Sequence, residues 1–118
     1  MELKFLGYQN VKISVHWKIM KVYGAEICSG CRAFKALMAE RGFEVDFVDI
    51  TASVANLREF LMLRDTNELF APIRAEGRIG IPAFVREDGI VTLDENEALA
   101  WIGQPPMEEQ DSGCATCK

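Results

Sequence analysis

The sequence predicts an α/β domain: a four-stranded mixed sheet flanked by helices. Three observations carry this. Short runs with strand alternation and longer runs with helical spacing follow one another in the order βαβα(α)ββα. Two strands joined through a helix imply a parallel pair, since only a crossover returns the chain in the same direction. Two later apolar runs joined by Asp88-Gly89 add antiparallel strands, because Asp-Gly turns fit the right-handed twist of a hairpin.

At 118 residues the chain is long enough for one domain with its own core, without disulfides as staples. Its formal charge of −5 argues against nucleic acid or an anionic membrane as partner, since both select basic patches. No apolar stretch approaches the roughly 18 residues that span a bilayer. The start, MELKFLGYQNVK, lacks the apolar core of a secretory signal. Four cysteines are therefore expected in a reducing, cytoplasmic setting, where C-x-x-C is more often catalytic or metal-binding than structural.

Residues 1–19 form an N-terminal extension or an extra edge strand; Val11, Ile13, Val15 and Trp17 alternate as a strand would. A regular domain follows over residues 20–103. MKVYG (20–24) reads as a strand. Residues 29–41 read as a helix with Cys31, Phe34, Leu37 and Met38 on one face, and Gly42 as its left-handed cap. FEVDFVDI (43–50) reads as the second strand. Thr51 or Ser53 caps a second helix that carries Val54, Leu57, Phe60 and Leu61 inward. TNELFAPIRAEG (66–77) is helical, bent near Pro72 and closed by Gly77. IPAFVRE and IVTL make the hairpin. Asp94 caps the last helix, with Glu97 three residues on, and Gly103 and Pro105 end it. Residues 104–118 are polar and read as a flexible tail carrying Cys114 and Cys117.

The chemistry concentrates in EICSGCRAFK. Cys28 is expected on the first helical turn, where unpaired N–H groups and the helix dipole favour a thiolate and where solvent reaches it. Cys31, one turn later and buried, is placed to attack a mixed disulfide formed on Cys28. Arg32 and Lys35 would support the thiolate, and Glu26 would oppose it if turned inward. Structural zinc is the competing use of the same pair. It needs four closed ligands, which here would mean folding Cys114 and Cys117 back across 82 intervening residues.

KVYGAEICSGC, EVDFVDIT, GIPAFV and DGIVTLDENEAL together resemble the glutaredoxin family, over about Met20 to Gly103, and in detail small prokaryotic glutaredoxin-related proteins. The resemblance implies a thioredoxin-like fold and a thiol–disulfide oxidoreductase acting through Cys28 and Cys31. It implies a cis Pro82 beside Cys28, with Ile81 pairing with an extended substrate and Asp94 contacting a substrate amine. Implied partners are protein disulfides and a reductase or glutathione, with no bound cofactor, no metal and a monomeric chain. The chain departs from the family where glutathione binds. Ala25 stands in place of a lysine, Gly80-Ile81 in place of threonine-valine, and Val91, Thr92 and Leu93 around the place of a Gly-Gly. The expectation is dithiol chemistry on protein or small disulfides, with glutathione at most a co-substrate.

Two rivals stand beside this reading. One is a metal or iron–sulfur carrier using Cys28, with or without Cys114 and Cys117. The other is an adaptor whose thiols are incidental. The second cysteine pair has three readings of its own: an accessory redox relay, a metal-binding hook, or exposed thiols that oxidise adventitiously.

Overall fold

The computed structural model describes residues 19–107. Expectations for residues 1–18, Cys114 and Cys117 lie outside the described residues. The elements are β1 (Lys21–Gly24), α1 (Ser29–Glu40), β2 (Asp46–Asp49), α2 (Val54–Thr66), a 3-10 turn (Glu68–Phe70), α3 (Ala71–Ala75), β3 (Ala83–Val85), β4 (Val91–Thr92) and α4 (Glu95–Trp101). The strands lie in the order β2-β1-β3-β4. β1 and β2 run parallel, and β3 is antiparallel to both β1 and β4. The predicted mixed sheet is therefore present.

Alternation along β1 divides the core in two, because successive strand side chains point to opposite faces. Val22 packs with Phe34 and Met38 of α1, Phe84 of β3, and Ala98 and Leu99 of α4. Tyr23 packs with Phe60 of α2, Phe70, Ile73 of α3 and Ala83. Helices thus cover both faces. Each fully buried phenylalanine contributes about 1.5–3 kcal/mol relative to an exposed one. Among the described residues no helix is long and apolar enough to cross a membrane.

Local chemistry sets the element ends. Ser53 accepts a hydrogen bond from the Asn56 amide at 3.1 Å, so it is the cap of α2 and Thr51 is not. Asp94 caps α4 through the Asn96 amide at 2.9 Å. Glu97 does not close a capping box. It accepts from the Thr92 hydroxyl at 2.8 Å, and that hydroxyl accepts from the Asp94 amide at 3.1 Å. Pro72 falls at the start of α3, where a missing N–H costs nothing. In the hairpin, Gly89 donates to the Arg86 carbonyl and has φ 95, so Asp88-Gly89 end a three-residue loop.

Three expectations are corrected. The second strand is half the predicted length. Phe43 instead bonds back to the Met38 carbonyl as α1 closes, and pairing with β1 begins only at Asp46. On α2, Phe60 is buried, but Val54 is 80% exposed and Leu57 is also exposed, so the apolar stripe runs past its partner sheet at the helix start. Residues 104–107 are held rather than loose. Arg41 donates to the Gln104 side chain and the Pro105 carbonyl, and the Met107 amide donates to Asn96 at 2.9 Å.

Candidate functional site

The carboxyl ends of β1, β2 and β4 lie on one edge of the sheet, because β4, antiparallel to β3, is parallel to β1. The loop after β1 brings Cys28 to that edge, the loop after β2 brings Asp49 to Ser53, and β4 ends toward Asp94. The segment entering β3, Gly80-Ile81-Pro82, arrives there too.

Cys28 is the cap residue of α1, one position before the helix rather than within its first turn. Its amide donates to the Ala25 carbonyl at 3.0 Å, and its carbonyl accepts from the Arg32 amide at 3.0 Å. The expectation of a solvent-facing sulfur is overturned: Cys28 is 2% exposed and packs with Tyr23, Ile50, Phe60, Ile81 and Ala83. Ile27, its chain neighbour, takes the exposed position instead, at 80%. The tight Ala25–Cys28 turn explains the difference, since it folds the cap residue under the loop and leaves Ile27 outside.

Cys31 is fully buried. Neither cysteine is in a disulfide. Burial pushes the Cys31 thiol up to about 12. The neighbouring Cys28 sulfur and the Asp49 carboxylate add to this, and a backbone hydrogen bond from Ala25 opposes it. Gly24 makes room for the sulfur: a Cβ there would sit 2.9 Å from Cys31 Sγ and 3.1 Å from the Phe47 ring.

The two cations expected to support a thiolate are engaged elsewhere. Lys35 pairs with the Glu26 carboxylate and lies 4.7 Å over the Phe47 ring. Arg32 donates to the Glu26 carbonyl at 2.8 Å. Glu26 therefore faces its own helix, not the sulfurs.

Asp49 is a site residue that the sequence reading missed. It pairs in register with Gly24. Its carboxylate accepts from the Thr51 hydroxyl at 2.6 Å, the Thr51 amide at 2.9 Å and the Glu26 amide at 3.4 Å. Those hydrogen bonds, the Thr51 side chain first, hold its pKa below the usual carboxylate value. The available signal was its place: the last residue of a strand parallel to the one that leads into C-x-x-C.

The Ile81–Pro82 bond is cis, and Ile81 lies in the same cluster as Cys28 and Cys31. The Ile81 side chain is buried rather than turned outward. The preceding chain is fixed from outside by Arg64, which donates to the carbonyls of Arg78 at 2.6 Å and Ile79 at 2.9 Å. Gly80 has φ 97, and a Cβ would meet the Phe70 ring at 2.9 Å, so only glycine fits both demands. Asp94 reaches the same edge, where its carboxylate caps α4. The structure thus brings Cys28, Cys31 and Ile81 together, adds Gly24 and Asp49, and leaves Asp94 at the far side of the edge. Among the described residues, no three His, Cys, Asp or Glu side chains converge as metal ligands.

An uncharacterized protein of Haemophilus influenzae is 37% identical over 73 residues, which cover 62% of this chain and 85% of that protein. No family model matches the chain, and no solved structure matches it.

Proposed function

We propose, for a chain that belongs to the same family as the uncharacterized Haemophilus influenzae protein, a thiol–disulfide oxidoreductase of thioredoxin-like fold acting through Cys28 and Cys31. The observation that carries this reading is the placement of the pair: Cys28 caps α1 and Cys31 lies one turn on, both buried in one cluster with Ile81 of the cis Ile81–Pro82 bond. Cys31, its thiol pushed up to about 12 by burial, stands one turn behind Cys28 and keeps its proton at neutral pH.

In the forward direction Cys28 attacks a substrate disulfide as a thiolate, forming an S–S bond to one substrate sulfur and releasing the other as a thiol. Cys31 then loses its proton and attacks the Cys28 sulfur, which releases the second substrate thiol and leaves a Cys28–Cys31 disulfide. The order follows from the electrostatics. Burial and the neighbouring Cys28 hold the proton on Cys31 in the resting site. Once Cys28 is in a mixed disulfide it raises the Cys31 pKa less, so Cys31 ionises more readily at the moment it is needed.

Attack requires the covered Cys28 sulfur to emerge, through displacement of the Ala25–Cys28 turn or a larger local opening. The burial of Cys28 favours a second reading, in which the thiols only fill the core of an adaptor. Cys31→Ser separates the two. The oxidoreductase reading expects a stable adduct between Cys28 and a small disulfide, formed under native conditions and seen as added mass. If Cys28 reacts no faster than the whole domain unfolds, the adaptor reading replaces it.

A further inference from the structure

Cys28 and Ile27 have the reverse of the burial that their chemistry calls for. The thiol that must meet a substrate is 2% exposed, and the isoleucine before it is 80% exposed. Beside them, on the same edge of the sheet, lies an open hollow of about 330 Å³ lined by Ile50, Thr51, Ser53, Val54 and Leu57. Val54 and Leu57 are exposed there. We propose that the 25–28 turn is a two-position switch, in whose second position Ile27 seats in this hollow and the Cys28 sulfur faces solvent. The inference rests on the oxidoreductase reading and says how the same site is uncovered.

Reach is sufficient. The Ile50 amide donates to the Gly24 carbonyl at 2.8 Å, so one wall of the hollow begins beside the residue from which the turn departs. Cys28 packs against the same isoleucine. The three steps from Gly24 to Ile27 cover up to about 10–11 Å when extended, so β1 and α1 need not move. Cys28 has an extended backbone, with φ −95 and ψ 119. Successive side chains of an extended segment point to opposite sides. One rotation of the segment therefore turns Ile27 in as it turns Cys28 out.

The turn is held unevenly. On the α1 side, Arg32 donates to the Glu26 carbonyl at 2.8 Å and Lys35 pairs with the Glu26 carboxylate. On the β2 side, the Glu26 amide meets the Asp49 carboxylate at 3.4 Å, longer than an ordinary N–H···O bond. The turn is thus hinged on α1 and lightly tied next to the hollow. Burial of the Ile27 side chain offsets the exposure of Cys28, because the larger apolar surface leaves water as the smaller thiol enters it. The sulfur is bared without unfolding any helix or strand.

The test uses the full chain in a Cys31→Ser background, carrying Ile27→Ser, Leu57→Ser or both. Reduced protein meets hydroxyethyl disulfide without denaturant, and adduct formation is followed as added mass on the peptide that holds Cys28. Urea midpoints check that each variant is folded. Ile27→Ser is expected to slow the adduct about tenfold, since roughly half of an isoleucine's burial is lost in the open position alone. Leu57→Ser is expected to slow it by a similar factor, and the double variant no further, because each change removes the same contact. An unchanged or faster reaction in Ile27→Ser overturns the switch and leaves the oxidoreductase standing, with the turn a plain cover. Effects that multiply in the double variant also overturn the switch. If no protein forms the adduct faster than the domain unfolds, both readings fall. Val54→Ser replaces Leu57→Ser, and Cys31→Ala replaces Cys31→Ser, where either does not fold.

Discussion

Gly24 and Cys31 are packed so closely that one methyl group on the glycine would lie 2.9 Å from the cysteine sulfur. The contact joins the end of β1 to the first turn of α1 and sets where the second sulfur sits. Gly24→Ala forces the helix start or the Phe47 ring to move. Overpacking of this kind costs about 1–3 kcal/mol. A lower urea midpoint should accompany slower release of a mixed disulfide from Cys28. Unchanged stability and release would show that the strand yields freely at this point.

Alkaline pH should weaken the fold. The Cys31 thiol holds its proton to about 12 when folded, against 9.0 for an ordinary thiol. Between those values the folded state binds more protons than the unfolded one, so stability falls as pH rises; below that window the contribution is fully present. Tyr23 acts in the same sense, its hydroxyl pushed up by burial and by its bond to Glu59. Urea midpoints measured from neutral pH into this window should drop less steeply in Cys31→Ser and in Tyr23→Phe. Parallel curves for all three proteins would contradict the assignment.

Asp49→Asn removes a negative charge that raises the Cys31 pKa. The Cys31 thiol should then ionise at lower pH. The pH at which release of the mixed disulfide reaches half its maximum should move downward, with little change in the first attack. An equal effect on both steps would mean that Asp49 acts only by holding the 24–28 loop through Glu26.

Glu59 ties β1 to α2. It accepts from the Tyr23 hydroxyl at 2.7 Å and from Lys21 at 2.9 Å, and these bonds, Tyr23 first, depress its pKa. Its contribution is present above the ordinary glutamate pKa and is lost as pH falls through the depressed value. Glu59→Gln should flatten the acid limb of a stability profile and cost about 0.5–1.5 kcal/mol at neutral pH. A steeper acid limb in the variant would show that the Glu59 carboxylate opposes folding instead.

Local signals in the sequence located much of the fold. Helical spacing around Phe34 and Met38, the serine before α2, and Asp88-Gly89 each act within a few residues, so each is legible in order along the chain. What the sequence did not reveal depends on distant neighbours. The strand alternation of Phe43 and Val45 is real, yet β1 is too short to pair with them. Val54 and Leu57 match a helical stripe, but nothing lies opposite them among the described residues to cover them. The C-x-x-C pair was evident, while the burial of Cys28 depends on a turn whose tightness no spacing reveals. Asp49 looked like one more surface acid until its strand was placed beside β1.

Arg64 clamps the chain just ahead of Gly80 by gripping two successive carbonyls from the neighbouring helix. This leaves the dithiol between unlike banks, one riveted to α2 and the other a short turn tipped with an exposed isoleucine. Any breathing that bares the sulfur should therefore be lopsided, lifting the Ile27 side while the proline side stays put. A larger residue in place of Ile27 would then act as a latch, changing how quickly thiols are uncovered without touching their chemistry.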